Sequence, residues 1–178
     1  MKRINYYVAS SIDGYISGPN DDTSGFVDSS NGVEKYLNDL KKFETVIMGK
    51  NTYTYGYKYG LIPGKPAYPH MTHYIFSKTL AFENLDEKIK IIRNIDTAEI
   101  INIKNNSNTD IYLCGGGIFA GWLLDNELID LLTLKVNPLI LGQGGKLFGN
   151  SIKNFKLKLI NNGEYDDGLL INTYEINY

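Results

Sequence analysis

Short apolar runs recur along the chain, separated by stretches in which apolar positions return every three or four residues. The first pattern predicts buried strands and the second predicts amphipathic helices. Ile4-Asn5-Tyr6-Tyr7-Val8-Ala9 reads as a strand that Ser10-Ser11 ends. Residues 17–30 are rich in Gly, Pro, Asn, Asp and Ser, and predict a long surface loop. Such a length in a compact domain points to a lid or a binding segment. A helix capped by Ser30 or Asn31 is expected to run to about Phe43, with Val33, Tyr36, Leu37 and Leu40 on one face. Thr45-Val46-Ile47-Met48 is an all-apolar strand that stops at Gly49, and residues 51–70 look irregular after one helical turn. His73-Tyr74-Ile75-Phe76 and Lys90-Ile91-Ile92 are further strands. Residues 97–105 form a helix with Ala98, Ile100 and Ile101 turned inward.

The second half continues the alternation. A strand over 110–114 feeds a helix over 117–126, and Leu131 to Val136 leads into Pro138 and the loop Gly142-Gln143-Gly144-Gly145. Residues 155–160 and 169–178 read as two antiparallel strands, joined through turns at Asn161-Asn162-Gly163 and Asp166-Asp167-Gly168. Strands alternating with helices predict an α/β protein with a mostly parallel sheet, and the last two strands add an antiparallel edge. No linker or repeat divides the 178 residues, so one domain over 1–178 is expected.

Composition removes several function classes. A net charge of −2 with scattered lysines gives no footprint for nucleic acid. No apolar stretch approaches the ~20 residues that span a bilayer. The apolar run after Met1-Lys2-Arg3 is too short for a signal peptide, and the single cysteine, Cys114, suits a reducing cytoplasm. Two histidines, with no HExxH or CxxC, argue against a dedicated transition-metal site.

The chemistry-bearing residues collect where strands end. Leu113-Cys114-Gly115-Gly116-Gly117-Ile118-Phe119 is a strand, three glycines and an immediate helix. Bare N–H groups at a helix start attract phosphate, although a tight connection that merely needs glycine is the competing reading. Three other strand ends carry Ala9-Ser10-Ser11-Ile12-Asp13-Gly14-Tyr15-Ile16, Met48-Gly49-Lys50-Asn51-Thr52 and Ser77-Lys78-Thr79. In open α/β sheets, ligands bind outside these ends. Lys50 and Lys78 then read as phosphate partners, against the alternative of two solvated turn lysines.

In this order and spacing the segments resemble the dihydrofolate reductase superfamily, and within it the reductase domain of bacterial riboflavin biosynthesis. Val46 to Tyr53, Tyr74 to Leu80, Ile129-Asp130, Pro138 to Gly144 and Leu147-Phe148 extend the match over residues 4–148. The resemblance implies a three-layer sandwich with helices on both faces of the sheet, and NADPH reducing a small heterocycle. It places the Ala9 backbone and Ile16 beside the nicotinamide, with Gly18 in a mobile loop above it. Gly49, Lys50, Asn51 and Thr52 would meet the phosphates, and Ser77, Lys78 and Thr79 the adenosine ribose and its 2′-phosphate. Gly115, Gly116, Gly117, Ile118 and Phe119 would close the pyrophosphate site, the first two joined by a cis peptide. Relatives in that branch also pair as homodimers through the sheet edge.

The same resemblance marks departures. Folate reducers hold their pterin with a carboxylate on the first helix. Here that position falls near Val33, with Glu34 beside it. Glu34 is thus the candidate acid, its other reading being a solvated charge in a helix first turn. Gly18-Pro19-Asn20-Asp21-Asp22 replaces the usual proline–tryptophan segment, and Lys135 stands where folate enzymes keep a threonine. These points lead away from folate, toward another pterin- or pyrimidine-like ring. The pyrimidine reductase of riboflavin synthesis is one alternative, and a non-catalytic NADPH-binding protein is another. Asp13 is expected to fix a local turn. Tyr53, Tyr55, Tyr57 and Tyr59 would stack on a heterocycle or cover a core edge, while Trp122 and Cys114 are expected to pack.

Overall fold

The computed structural model describes residues 1–178 and builds one eight-stranded sheet with helices on both sides. Strands β1 (Ile4–Ser11), β3 (Thr45–Gly49), β4 (Thr72–Phe76), β5 (Ile89–Ile92), β6 (Ile111–Gly115) and β7 (Leu131–Asn137) run parallel. The hairpin of β9 (Lys156–Glu164) and β10 (Leu170–Asn177) adds the antiparallel edge, giving the order β5-β4-β3-β6-β1-β7-β10-β9. Two short strands, β2 (Tyr15–Ser17) and β8 (Gly145–Lys146), pair with each other outside the main sheet.

The period of two along each strand decides the layers. Ile4, Tyr6, Ile47, Leu113 and Leu132 face α3 (Thr97–Asn106) and α4 (Gly117–Asp125), packing on Ile100, Ile103, Ala120 and Leu123. Tyr7, Val46, Met48, Ile75 and Tyr112 face the other way, toward α1 (Asn31–Leu40) and α2 (Lys50–Tyr55). The result is the expected three-layer sandwich. Lys104 of α3 is buried, and its ammonium reaches Asp130 Oδ2 at 2.7 Å; the same oxygen accepts the Ile4 amide at 2.7 Å. One carboxylate thereby ties α3 to the starts of β1 and β7.

Several boundaries differ from the sequence expectation. Ser30 does cap α1, accepting from the Val33 amide at 3.3 Å, but the helix stops at Leu40. Leu37 is 54% exposed, so the inward face is formed by Val33, Tyr36 and Leu40. In α3, Ile100 and Ile103 are the buried pair and Ile101 is exposed. Those three side chains lie about 100° apart per residue, so a one-residue phase error exchanges core for solvent. Asn161-Asn162-Gly163 continues β9 rather than turning, with a register shift opposite Thr173/Tyr174. β2 and β8 fall in segments whose composition signals only loop. Their pairing depends on Gly144, where a Cβ would stand 2.0 Å from the Ser17 carbonyl.

Candidate active site

The carboxyl ends of β1, β3, β4 and β6 lie side by side, because these strands are parallel neighbours. β6 ends in a cis Gly115–Gly116 bond, as the resemblance implied, and α4 begins at Gly117. Gly115 has φ +131°, a conformation open to glycine. A Cβ on Gly116 would lie 3.2 Å from the Thr52 hydroxyl of α2, so the first turn of α2 closes directly on the glycines. The opening amides of α4 have no partner within their own helix. This end of α4 is therefore a bare, electropositive cradle.

The next two strand ends supply cations. Lys50 Nζ donates to the Thr79 hydroxyl at 3.1 Å, linking the start of α2 to the turn after β4. The Ser77 hydroxyl accepts the Thr79 and Leu80 amides at 3.2 and 2.9 Å, which shapes that turn. Lys78 and Asn51 are exposed beside it. Arg93, at the end of β5, joins the group by donating to the Ser77 carbonyl at 3.2 Å. Sequence reasoning missed Arg93, although the strand-end rule that selected Lys50 and Lys78 applies equally to the residue after Ile92.

Ile118 is 78% exposed on the first turn of α4. Phe119 needs a correction: its ring packs at 4.7 Å from Phe76 and stacks on Trp122, inside the core. Only its backbone remains available to a ligand. Gly49 sits behind that ring, its notional Cβ 3.7 Å from the Phe119 Cβ.

The exits of β1 and β7 lie together and anchor the long loop. Ala9 pairs with Lys135 across the sheet, and Ser11 with Asn137. The fully buried Asn137 accepts the Val27 amide at 2.9 Å and donates to the Ser10 carbonyl, pinning the long loop to β7. Farther out, the Thr23 hydroxyl bonds the phenols of Tyr55 and Tyr59 at 2.9 and 3.3 Å, and Tyr55 also reaches the Asp21 carbonyl. The tyrosine run thus divides, Tyr53 entering the core while Tyr55 and Tyr59 hold the loop. Ile16 lies in β2 below this loop, and the Gly18 amide donates to the Asp22 carbonyl at 2.7 Å. Between the loop and Tyr55, Lys58 and Tyr59 is a cleft of about 470 Å³, which none of the strand-end residues named above lines.

Asp13 acts over a longer range than a local turn. It accepts the amides of Leu141 and Gly142 at 3.1 and 2.7 Å, fixing the 139–144 segment against the exit of β1. The Ser11 hydroxyl and these amides hold its carboxyl down at about 2. Cys114 packs among Tyr68 and Tyr112, and burial pushes its thiol above the ordinary range. It is a packed thiol, as expected. The Glu34 side chain is exposed and makes no hydrogen bond or ion pair, while its amide donates to the Ser30 carbonyl at 3.0 Å. Tyr36, two positions on, turns into the core, and residues so spaced point apart. Glu34 does not line the cleft beside Tyr55 and Tyr59.

A family model described as the RibD C-terminal domain matches residues 2–171. The chain belongs to the RibD C-terminal domain family. The YyaP protein of Bacillus subtilis is 26% identical over 189 residues, covering 99% of this chain and 96% of its own length. Among solved structures, a Shewanella sp. PV-4 protein named for riboflavin biosynthesis superposes with a TM-score of 0.82 at 20% identity, covering all of both chains. The Thermotoga maritima diaminohydroxyphosphoribosylaminopyrimidine deaminase/5-amino-6-(5-phosphoribosylamino)uracil reductase gives 0.72 at 14% identity, over 99% of this chain and 57% of that one. Dihydrofolate reductase of Enterococcus faecalis, complexed with NADP(H), gives 0.68 at 15% identity, over 99% and 97%. These likenesses carry the dihydrofolate-reductase-like fold. No helix here is long and apolar enough to cross a membrane.

Proposed function

We propose that this chain is an NADPH-dependent reductase of a small pyrimidine- or pterin-like heterocycle. The observation that carries the reading is the meeting of Lys50, Thr79 and Arg93 beside the glycine cradle of α4. A cradle of bare amides suits a pyrophosphate, and Lys50, Lys78 and Arg93 around one turn suit an additional phosphate on a ribose. The residues present fit a 2′-phosphorylated dinucleotide. Bound there, it would supply a hydride from the dihydronicotinamide ring. Gly115, Gly116 and Gly117 would hold the pyrophosphate, with Thr52 and the Ile118 and Phe119 amides around it. Ser77, Lys78 and Thr79 would surround the ribose. Ala9 and Ile16 would fix the nicotinamide, and the 17–30 segment would exclude water above it.

Titration of the protein with NADPH and NADH, followed by Trp122 and tyrosine fluorescence, tests the cofactor. NADPH is expected to bind at least tenfold more tightly, a difference of ~1.4 kcal/mol. Lys50→Ala should remove most of that preference. Equal affinities would sink the 2′-phosphate assignment, and no binding of either nucleotide would sink the reductase.

The pyrimidine reductase step of riboflavin synthesis is the specific activity that family membership favours. The chain spans 57% of the bifunctional Thermotoga protein, so a deaminase activity is not carried over. We also propose a homodimer formed through β9. Leu159 is 51% exposed on this edge strand, and Leu157 and Ile160 are exposed beside it. Open, apolar edges are ready to pair. Light scattering should give twice the chain mass, and Leu159→Lys should return the monomer mass.

A further inference from the structure

Lys135 is a buried cation with a single hydrogen-bond partner. It lies on β7 opposite Ala9 and is only 7% exposed. An ammonium carries three donors, and here one acceptor is within reach, the Val27 carbonyl at 3.3 Å. Its charge sits 5.6 Å above the Tyr36 ring, and no carboxylate lies within ion-pair distance. Asp28, on the exposed side of the loop, is the nearest opposing charge that acts on it. Lys104 makes a useful comparison, since it is equally buried but sits against Asp130 at 2.7 Å. A buried cation without such a partner is costly unless a ligand completes it.

We propose that Lys135 is the specificity-determining residue of the substrate half of the site, donating to an oxygen on the edge of the substrate ring. The placement beside the nicotinamide rests on the reductase reading above; the demand for an acceptor rests on Lys135 itself. Where a carboxylate reads a ring edge, the ring must offer N–H donors. Where an ammonium reads it, the ring must offer carbonyl or oxyanion acceptors, and an amidine edge is repelled. The site therefore takes an oxo-substituted ring and rejects a diamino-substituted one. Burial also pulls the Lys135 pKa below its ordinary value, in keeping with a charge that waits for a partner.

Calorimetric titration of the full chain with two small probes tests this. Barbituric acid offers three ring oxygens and is anionic at neutral pH, whereas 2,4-diaminopyrimidine offers an amidine edge. Barbituric acid is expected to bind at least tenfold more tightly. Lys135→Met should abolish the preference, leaving NADPH affinity within twofold of the parent, while Lys50→Ala should leave the preference intact. A footprinting measurement on the unmodified chain covers a misfolded variant: barbituric acid should slow acetylation of Lys135 at least fivefold and leave the surface lysines unchanged. Tighter binding of the diamine, a preference unchanged in Lys135→Met, an unprotected Lys135, or no binding of barbituric acid would each overturn the assignment. Loss of NADPH binding with the oxygen preference intact would overturn the cofactor reading alone.

Discussion

Alanine at position 117 is expected to cost about 3 kcal/mol and to abolish dinucleotide binding. Gly117 opens α4, and a Cβ there would stand 2.0 Å from the Lys146 carbonyl and 3.1 Å from the Gly149 amide. Both contacts are backbone, so no side-chain rotation relieves them. The turn they belong to is itself closed by the Gly149 amide donating to the Lys146 carbonyl at 3.2 Å. Lys146 also pairs with Tyr15 in the two-stranded ribbon, which carries the base of the 17–30 loop. Pushing this turn away would open the proposed pyrophosphate cradle and release the loop in one step. Thermal melts should show a drop of about 9 °C, at roughly 3 °C per kcal/mol for a chain of this size. Gly142→Ala is the control. Its φ of +72° is a glycine conformation, which Gly117 does not adopt, but nothing lies within 4 Å of its notional Cβ. That variant should cost only ~1 kcal/mol of backbone strain and keep nucleotide affinity. Similar losses in the two variants would show that the close approach at Gly117 does not set the cost.

How far the site could be read from sequence follows from how local each signal is. The glycine run, Lys50 and Ser77 to Thr79 are marked by position alone, directly after apolar strands, and parallel neighbours bring such ends together whatever lies between. Lys135 and Glu34 are different. Where their side chains stand depends on helix phase and cross-strand register: α1 turns Tyr36 inward and leaves Glu34 exposed, while β7 sets Lys135 opposite Ala9. A one-residue error reverses either answer. The reach of Asp13 to Leu141 and Gly142 crosses more than a hundred residues, so its local sequence context pointed to a turn instead. The β2–β8 ribbon has no hydrophobic alternation, and its cause is the tight approach of Gly144 to Ser17. Phe119 shows the converse error, where a motif position and a core position coincide and packing takes the side chain.

Acidification should weaken the fold through His73, on the strand that leads to the cation cluster. His73 of β4 is fully buried and stacks on Tyr68. Its Nε2 lies 3.2 Å from the Tyr68 amide and must accept from it, so Nδ1 carries the proton, donating to the Met71 carbonyl at 3.1 Å. A second proton has no place, and burial drives the imidazole pKa down to about 4. The unfolded chain titrates near 6.5, so between the two values it binds the proton that the folded chain refuses. Stability from this group is therefore complete above about pH 6.5 and is lost as pH falls toward about 4. The gap, at about 1.36 kcal/mol per pH unit, amounts to about 3 kcal/mol. Urea melts at pH 7.0, 5.5 and 4.0 should follow this decline in the parent, and His73→Gln should decline by about 3 kcal/mol less over the same range. The partnered carboxylates Asp39, Asp86 and Asp110 titrate in both proteins, so the difference between the two curves isolates the histidine. Parallel curves would mean that His73 takes up its proton in place. A consequence for the site follows, because the Tyr68 phenol reaches Cys114 and β4 leads directly into Ser77. Charging His73 should loosen that end, so nucleotide affinity should fall with pH in step with stability in the parent and more gradually in His73→Gln.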